Sequence, residues 1–572
     1  MLFRLIAFNG RFIHSCLALF YVRGGLEQNL PDCVTQVSQY TINDPYYTTL
    51  RQIGSGNPQA LFFSVYIWNN IYIKRLLGDL AKLLPHTPKI LGGPEAETLA
   101  RSLAVDVRKS CTIVKGEIEG VSQAFYRDLT KSRLLKEYDC AKVSSFKSPY
   151  RKEDFAGPLK NRNIYYESSR GCPFGCTYCL SAAEKGVRHL PLSQVCNEIE
   201  HILRCKPKVI RFVDRTFNDL PERALDIWRF LLEQPGGTLF HFEMAPDRFT
   251  EDLFQFLEQV EPGRFQFELG IQSTNPQTLA AINRKCNLPK AAENIRRLAA
   301  LDSIHTHLDL ILGLPFEDHK TFSRSFADVF MLGPHYIQMG LLKVLPGTPI
   351  SRAIEEFGML VCEKPPYEIL ANRWLTTDEV EELFWFGKCV EAFYNNRFFR
   401  SFWEYLRKKE EDIFVFFQEL QKLCLQKKFF DRAKTQELLS SFLLEATSNR
   451  PDSELLKELL IFDWLRCGHH FLPPHLDKEP IARHRKKLWQ QQPLKLEGFY
   501  DYKSRDEFFK QGVFTLFSEE LLQQVGLTAA GKDAYVCFQA QREETVFRLN
   551  RFLLIPASVQ GVQAGFPGPD AR

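Results

Sequence analysis

The 572-residue sequence contains no apolar run of about 18 residues, the length that a membrane-spanning helix requires. Its opening segment, MLFRLIAFNGRF, is broken by Arg4 and Asn9, so neither a span nor a signal peptide is expected and the expected location is cytoplasmic. A charge excess is missing as well: 73 basic against 69 acidic side chains leave a formal charge of +4. That balance removes any whole-chain electrostatic case for a nucleic-acid partner, with only a local patch left open. Fifteen cysteines are present, most of them scattered singly, which argues against a disulfide framework and for a reducing compartment. Hydrophobic residues at 45% and charged residues at 25% exclude a disordered chain. Aromatic residues, by contrast, are plentiful. They make up 13% of the chain, with 48 Phe, enough for well-filled cores or aromatic-lined pockets. A chain of this length should hold about three domains of roughly 100–200 residues each.

One stretch departs from the scatter of cysteines. YYESSRGCPFGCTYCL, residues 165–180, sets Cys172, Cys176 and Cys179 in the spacing C-x3-C-x2-C. Three thiolates this close can close on one metal centre, and because iron–sulfur clusters usually take four cysteines, three suggest a cubane with one iron left for a small molecule. A structural zinc site needs a fourth ligand, commonly from a second C-x2-C pair. No such pair follows, and His189 and Cys196 are the nearest candidates in sequence. Pro173 and Gly175 favour a loop that wraps a cluster over cysteines that merely fill a core.

Upstream, short apolar runs alternate with helix-like stretches over residues 1–131: LFRLIAF, VTQVSQYTI, ALFFSV, PKIL and TIVKG as strands, with amphipathic segments between most of them. This pattern predicts a doubly wound parallel sheet, whose ligands sit at the carboxyl ends of its strands. The residues there are Asn9, Ser64, Gly92, Gly93 and the pair Gly116-Glu117; the bland alternative for Gly92-Gly93-Pro94 is a turn at a helix start. His14 reads as part of a helix face. Residues 132–163 mix Lys, Ser, Pro and Asp without periodicity and read as a linker.

Regular alternation returns over residues 164–365. Strand candidates are IYYESS, VIRFVD, LFHFE, RFQFELG, HLDLIL and YIQMGLL, an incomplete (β/α)6 barrel in the manner of a TIM barrel. Polar residues gather at the strand ends: Asp214 and Thr216, Glu243 and Asp247, Glu268 with Gln272 and Ser273, Asp309 with Gly313. Carboxylates in a barrel mouth need partners, either a ligand or a cap or salt bridge. Residues 366–556 read as mainly helical and rich in Phe, Trp and Leu, with apolar spacing typical of core. Cys467, His469 and His470 are a weak metal motif, and residues 557–572, rich in Gly and Pro, read as a disordered tail.

The cysteine motif, with Tyr178 before its last member and a strand-like run before its first, resembles the signature of the radical S-adenosylmethionine (SAM) superfamily. GIQSTNPQTLAAINR, DLILGLPFED and LKVLPGTPI resemble later motifs of that core, in the group shared by cobalamin-dependent enzymes and tRNA methylthiotransferases. ILGGPEAE and KGEIEG are similar to the cobalamin (B12)-binding domain that precedes many such cores, and the C-terminal part resembles an uncharacterised domain of a bacterial subgroup of them. The resemblance implies a [4Fe–4S] cluster on Cys172, Cys176 and Cys179, and S-adenosylmethionine held by Tyr178 near the adenine, by Asp214, Glu243, Gln272 and Ser273 at the methionyl and ribose groups, and by Gly313. It implies cobalamin near Asn9, Ser64, Gly92, Gly93 and Glu117, and an electron donor such as flavodoxin or ferredoxin. The implied chemistry is a 5′-deoxyadenosyl radical that removes a substrate hydrogen, followed by methylation of an unactivated carbon. Two departures stand out. FVDRTFN replaces the G-G-E that often follows the second strand, and D-x-H-x2-G, which gives some cobalamin domains a histidine for cobalt, is absent. The alternatives are a tRNA methylthiotransferase, which needs a second cluster in the N-terminal domain, and a non-catalytic cobalamin or iron–sulfur regulator.

Overall fold

The computed structural model describes residues 1–183, 186–477, 512–527, 533–539 and 552–556. The chain divides into two compact units: Met1–Ile304 with Ile311–His319 and Leu341–Val380, and His305–Leu310 with Lys320–Gly340 and Glu381–Arg572. Among the described residues no helix is long and apolar enough to cross a membrane.

The first unit begins with strands β1 (Leu2–Asn9), β2 (Val34–Thr41), β3 (Ala60–Ser64), β4 (Lys89–Gly92), β5 (Cys111–Lys115) and β6 (Glu137–Asp139), all parallel in the order β2-β1-β3-β4-β5-β6. Sequence dictates position in the sheet. β3, ALFFS, is buried throughout, as a central strand covered on both faces must be, whereas VTQVSQYT in β2 alternates and forms an edge. One face packs Ile6, Phe8, Leu61 and Phe63 against Ile73, Leu76, Leu77 and Leu80 of helix Asn70–Leu83. The opposite face packs Phe3, Leu5 and Phe62 against Leu19 and Leu26 of helix Leu17–Asn29 and Phe125 of helix Gln123–Thr130. The expected doubly wound sheet is present. Its chain reverses direction across β1 and β3, and in sheets of this order the ligand crevice lies at that switch point.

The segment expected as a linker contributes to this body. β6 extends the sheet, and Asp154 in helix Lys152–Ala156 pairs with Arg23 of helix Leu17–Asn29. Both Arg23 and Asp154 are buried, which composition alone does not reveal.

A second parallel sheet follows, with β7 (Ile164–Tyr166), β10 (Val209–Phe212), β11 (Leu239–Met244) and β12 (Phe265–Gln272) as successive neighbours, separated in the chain by helices including Leu192–Leu203 and Pro221–Glu233. Between β7 and β10 lies an antiparallel hairpin, β8 (Ser169–Cys172) and β9 (Gly186–His189). IYYESS was expected to be one strand. It ends at Tyr166, because Ser168 and Ser169 turn aside to the carboxylate of Asp214. Trp228 of the Pro221–Glu233 helix is fully buried and stacks on Phe267 at 5.2 Å and 11°, with Phe242 and Phe265 around it. The phenylalanines of this sheet are thus core. β13 (His305–Leu312) and β14 (Tyr336–Leu341) complete the expected six-strand alternation along the chain, and β15 (Leu360–Val361) pairs with β16 (Ile369–Ala371).

In the second unit, helices Arg400–Lys408, Ile413–Gln426 and Gln436–Thr447 precede Ser453–Arg466, whose second half, Leu459–Arg466, is buried throughout, with Asp463 and Arg466 paired at 2.9 Å. An antiparallel sheet of β17 (Gly512–Phe517), β18 (Ala534–Gln539) and β19 (Phe552–Pro556) joins the expected helices. The expected tail, 557–572, lies outside the described residues.

Candidate metal and cofactor site

Cys172 ends β8, and Cys176 and Cys179 lie in the segment that leaves it. Gly171 makes the entry possible: it takes φ +99°, and a Cβ there would stand 2.1 Å from Gly186 O. The loop is tied down by backbone bonds, Thr177 N to Ile282 O at 2.9 Å and Ile350 N to Thr177 O at 3.0 Å, and by Asn283 Nδ2 to Gly175 O at 2.8 Å. Cys172 Sγ lies 3.7 Å from Thr216 Oγ1, just past β10. Cys176 is buried, and Arg284 Nη1 donates to its sulfur at 3.8 Å. Cys172 and Cys179 remain half-exposed.

Among the described residues no three His, Cys, Asp or Glu side chains already stand at metal-holding distance. The donor set nevertheless fits an iron–sulfur cluster. Three thiols share one anchored loop, and a guanidinium donates to one sulfur, which is how proteins tune such clusters. His189 turns instead to Asp219, at 3.2 Å, and Cys196 lies on helix Leu192–Leu203.

The residues expected to hold S-adenosylmethionine surround this loop but differ in their commitments. Tyr178 packs against an apolar cluster containing Leu279, Ile282, Leu314 and Ile369, and burial raises its phenol well above the usual range. Asp214 is buried and accepts three hydrogen bonds, from Ser168 N at 2.9 Å and from Ser168 Oγ and Ser169 Oγ at 2.6 Å each. Its oxygens therefore fasten the turn before the hairpin, a role that differs from the expected ligand contact. Glu243 faces solvent with 34% of its side chain and stands 3.9 Å from Arg215. Burial in the strand-end environment pushes its carboxyl up to about 7. Gln272 ends β12 at φ +73°, its amide lying over Gly270. Ser273 donates to buried Glu317 at 2.5 Å and accepts from Asn275 N at 3.0 Å. Gly313, at φ +87°, leaves room for Ile369, whose side chain would meet a Cβ at 2.6 Å. Asp247 accepts from Asn287 N at 2.9 Å.

At the carboxyl ends of the N-terminal sheet, Asn9 and Ser64 are buried at the switch point, with Asn9 Nδ2 donating to Gln39 at 3.0 Å. Trp68, nearly half exposed, stacks on Tyr66 at 4.3 Å just past β3. A Cβ at Gly92 would make only ordinary contact, 3.9 Å from Val114 O, while Gly93, at φ +98°, is pressed against Val65 O, 2.6 Å from where a Cβ would stand. Glu117 does not present an open carboxylate. It is bound by Arg170 and Arg188 of the cysteine hairpin. His14, expected on a helix face, lies before helix Leu17–Asn29, and its Nδ1 meets Tyr165 Oη at 2.6 Å. In the second unit Cys467 turns to Phe398 O and His469 to Gln436, so that motif does not converge.

Sequence reasoning missed Arg284, Arg211 and His241. The last two line the face of the second sheet opposite its phenylalanines, with Arg211 Nη2 2.7 Å from His241 Nε2 and His241 3.2 Å from Glu268. A lone Arg in VIRF and a lone His in LFHF were the available signals.

The model of the radical SAM superfamily matches residues 166–329, and that of a protein family of unknown function, DUF4080, matches residues 355–538. The 2-(S-pantetheinyl)-carbapenam-3-carboxylate methyltransferase of Streptantibioticus cattleyicolor is 24% identical over 66% of this chain and 64% of its own length. The cobalamin-dependent radical SAM methyltransferase TokK of Streptomyces tokunonensis is 23% identical over 60% of this chain and 56% of its own. The matching stretch thus spans a little under two thirds of these relatives. The cobalamin-dependent S-adenosylmethionine radical enzyme OxsB, solved with aqua-cobalamin, shares the fold at a TM-score of 0.58 and 13% identity, over 81% of this chain and 80% of its own. Residues 166–329 thus match the radical SAM superfamily, with a DUF4080 match behind them over residues 355–538.

Proposed function

We propose that the protein is a radical SAM enzyme that binds cobalamin and transfers a methyl group to an unactivated carbon. The observation that carries this reading is the cysteine loop anchored between β8 and β9, beside strand ends that display Thr216, Glu243 and Gln272. When bound, a [4Fe–4S] cluster supplies the single electron for reductive cleavage of S-adenosylmethionine, and cobalamin supplies the methyl group. The chain's own residues hold and orient: Cys172, Cys176 and Cys179 give the thiolates, and Arg284 donates to the sulfur of Cys176. Glu243 and Arg215, a carboxyl beside a guanidinium, suit an amino-acid headgroup, and Gln272 and Ser273 lie at the next strand end. Asn9, Ser64 and the Tyr66–Trp68 stack, set at the switch point of the N-terminal sheet, suit a large flat cofactor.

The relatives named as methyltransferases favour methyl transfer over other radical chemistry. The methylthiotransferase alternative lacks a place for its second cluster among Cys16, Cys33 and Cys111. Cys16 and Cys33 belong to the apolar cluster on one face of the sheet and Cys111 to the cluster on the other.

Anaerobic reconstitution with iron, sulfide and cobalamin tests the reading. Expected are charge-transfer absorbance, one bound cobalamin per chain in the visible spectrum, and 5′-deoxyadenosine on reduction. Cys176→Ala should abolish the nucleoside. If this variant binds a full cluster and still cleaves S-adenosylmethionine, the assignment fails; if the parent binds no cobalamin, the methyl-transfer part fails.

A further inference from the structure

Two turns leave the carboxyl ends of β3 and β4, and one buried carboxyl group holds both. Glu95, just past Gly92-Gly93, is 2% exposed and accepts on a single oxygen, Oε2, from Asn70 Nδ2 and from Tyr367 Oη, each at 2.9 Å. Asn70 opens helix Asn70–Leu83 directly after Trp68 and Asn69, whose side chains donate to Phe8 O near the end of β1. The backbone closes the same junction, with Glu95 N donating to Val65 O at 3.2 Å. A carboxyl group is costly to bury unless its acceptor capacity is used. Here it joins the β3 and β4 turns to a residue 272 positions away.

Tyr367 lies between β15 and β16 at φ +59°, a left-handed conformation that an aromatic residue keeps only where its surroundings over-determine it. It is 7% exposed, its carbonyl accepts from Val344 N at 2.9 Å, its N–H donates to Lys364 O at 3.0 Å, and its hydroxyl is committed to Glu95. Two residues on, Ile369 donates through its N–H to Leu342 O at 2.9 Å. The Ile369 side chain packs in the apolar cluster that includes Tyr178, the neighbour of Cys179.

We infer that Glu95, Asn70 and Tyr367 form a latch of positioning residues, which fixes the β3 and β4 turns against the β15–β16 segment. Neither turn then moves without straining the other or the segment that packs beside Tyr178. The latch holds the turns in the geometry that takes up cobalamin. That consequence rests on the proposed function; the latch itself does not, because it is a property of the chain without cofactors.

Amide hydrogen exchange of the cofactor-free protein, together with titration by cobalamin in the visible spectrum, tests it. Tyr367→Phe removes one hydroxyl and should speed exchange at Asn70 and Glu95 by roughly tenfold while β10–β12 keep the parent's rates. Glu95→Ala should act in the reverse direction and speed exchange at Val344 and Ile369. Because both hydrogen bonds end on one oxygen, Glu95→Gln can keep them and should stay within about twofold of the parent. Cobalamin affinity should follow the same order, about tenfold weaker in Tyr367→Phe and close to the parent's in Glu95→Gln. Parent rates at Asn70 and Glu95 in Tyr367→Phe, or exchange in Glu95→Gln as fast as in Glu95→Ala, overturn the latch; the two conservative variants also guard against an alanine variant that fails to fold. Faster exchange with unchanged cobalamin affinity overturns its role in cofactor uptake. A parent that binds no cobalamin overturns the cobalamin reading and leaves the exchange rates to decide the latch.

Discussion

Replacing Asp214 by alanine asks how far the turn into the cysteine hairpin depends on one carboxylate. Asp214 is 2% exposed and accepts from Ser168 N, Ser168 Oγ and Ser169 Oγ, all just ahead of Cys172. Alanine strands the Ser168 amide, and an unsatisfied buried donor costs about 1–3 kcal/mol. The two hydroxyls can rotate towards other acceptors and recover part of their loss. The sum is about 2–4 kcal/mol, large for a single substitution. Asparagine keeps one acceptor oxygen and the volume, and its cost should be about half that of alanine. Burial raises the Asp214 carboxyl above its ordinary range. Urea unfolding followed by tryptophan fluorescence gives the stability, and iron per chain after reconstitution gives the consequence for the loop. An alanine variant within about 0.5 kcal/mol of the parent, with full iron uptake, refutes the role assigned to Asp214.

Two further outcomes follow from buried charge. Glu243 holds its proton up to about 7 in the native state, against an ordinary value of 4.5, so stability should fall as pH rises between these values. Glu243→Gln should flatten that slope by about 1–2 kcal/mol, after allowance for solvent at its one-third-exposed side chain, as read from urea midpoints across the interval. The Arg23–Asp154 pair, closed by Nη2 to Oδ2 at 2.7 Å, tests whether residues 132–163 belong to the N-terminal body. Arg23→Met alone strands a buried carboxylate and should cost about 3–5 kcal/mol, whereas Arg23→Met/Asp154→Leu should recover most of it in thermal unfolding.

The parts legible in the sequence were those written in local pattern. C-x3-C-x2-C is contained within residues 172–179, and the strands of both parallel sheets are short apolar runs between turn residues. The β8–β9 hairpin was hidden, because SRGC and GVRH carry neither alternation nor β-branched runs and are held by the Arg170–Arg188 register and its carboxylates. Long-range partners were hidden for the same reason. Arg284 reaches Cys176 across 108 positions, and Glu117 reaches Arg170 and Arg188 across 53 and 71. Asp214 was picked out correctly as a strand-end carboxylate, yet no local signal distinguishes a carboxylate that awaits a ligand from one that fastens a turn. β6, only EYD, is too short to show a period at all.

The two faces of the second sheet separate folding from binding. Parallel sheets flanked by helices are usually apolar on both faces. In β10–β12 the period-2 alternation puts Phe212, Phe240, Phe242, Phe265 and Phe267 on one side, each almost completely buried, and Arg211, His241, Glu243, Gln266 and Glu268 on the other. The register sets these polar residues beside each other, so Arg211 lies within reach of both His241 and Glu268 across strands, Arg211 and Glu268 each keep 26% exposure to water, and His241 Nδ1 is buried without a hydrogen-bond partner. Burial holds the His241 imidazole below its ordinary range. Lateral pairing offsets part of the desolvation that isolated charges would suffer. Stability rests on the phenylalanine side, where Trp228 locks helix to sheet. Substitutions on that side should therefore destabilise the fold more than conservative substitutions on the polar side.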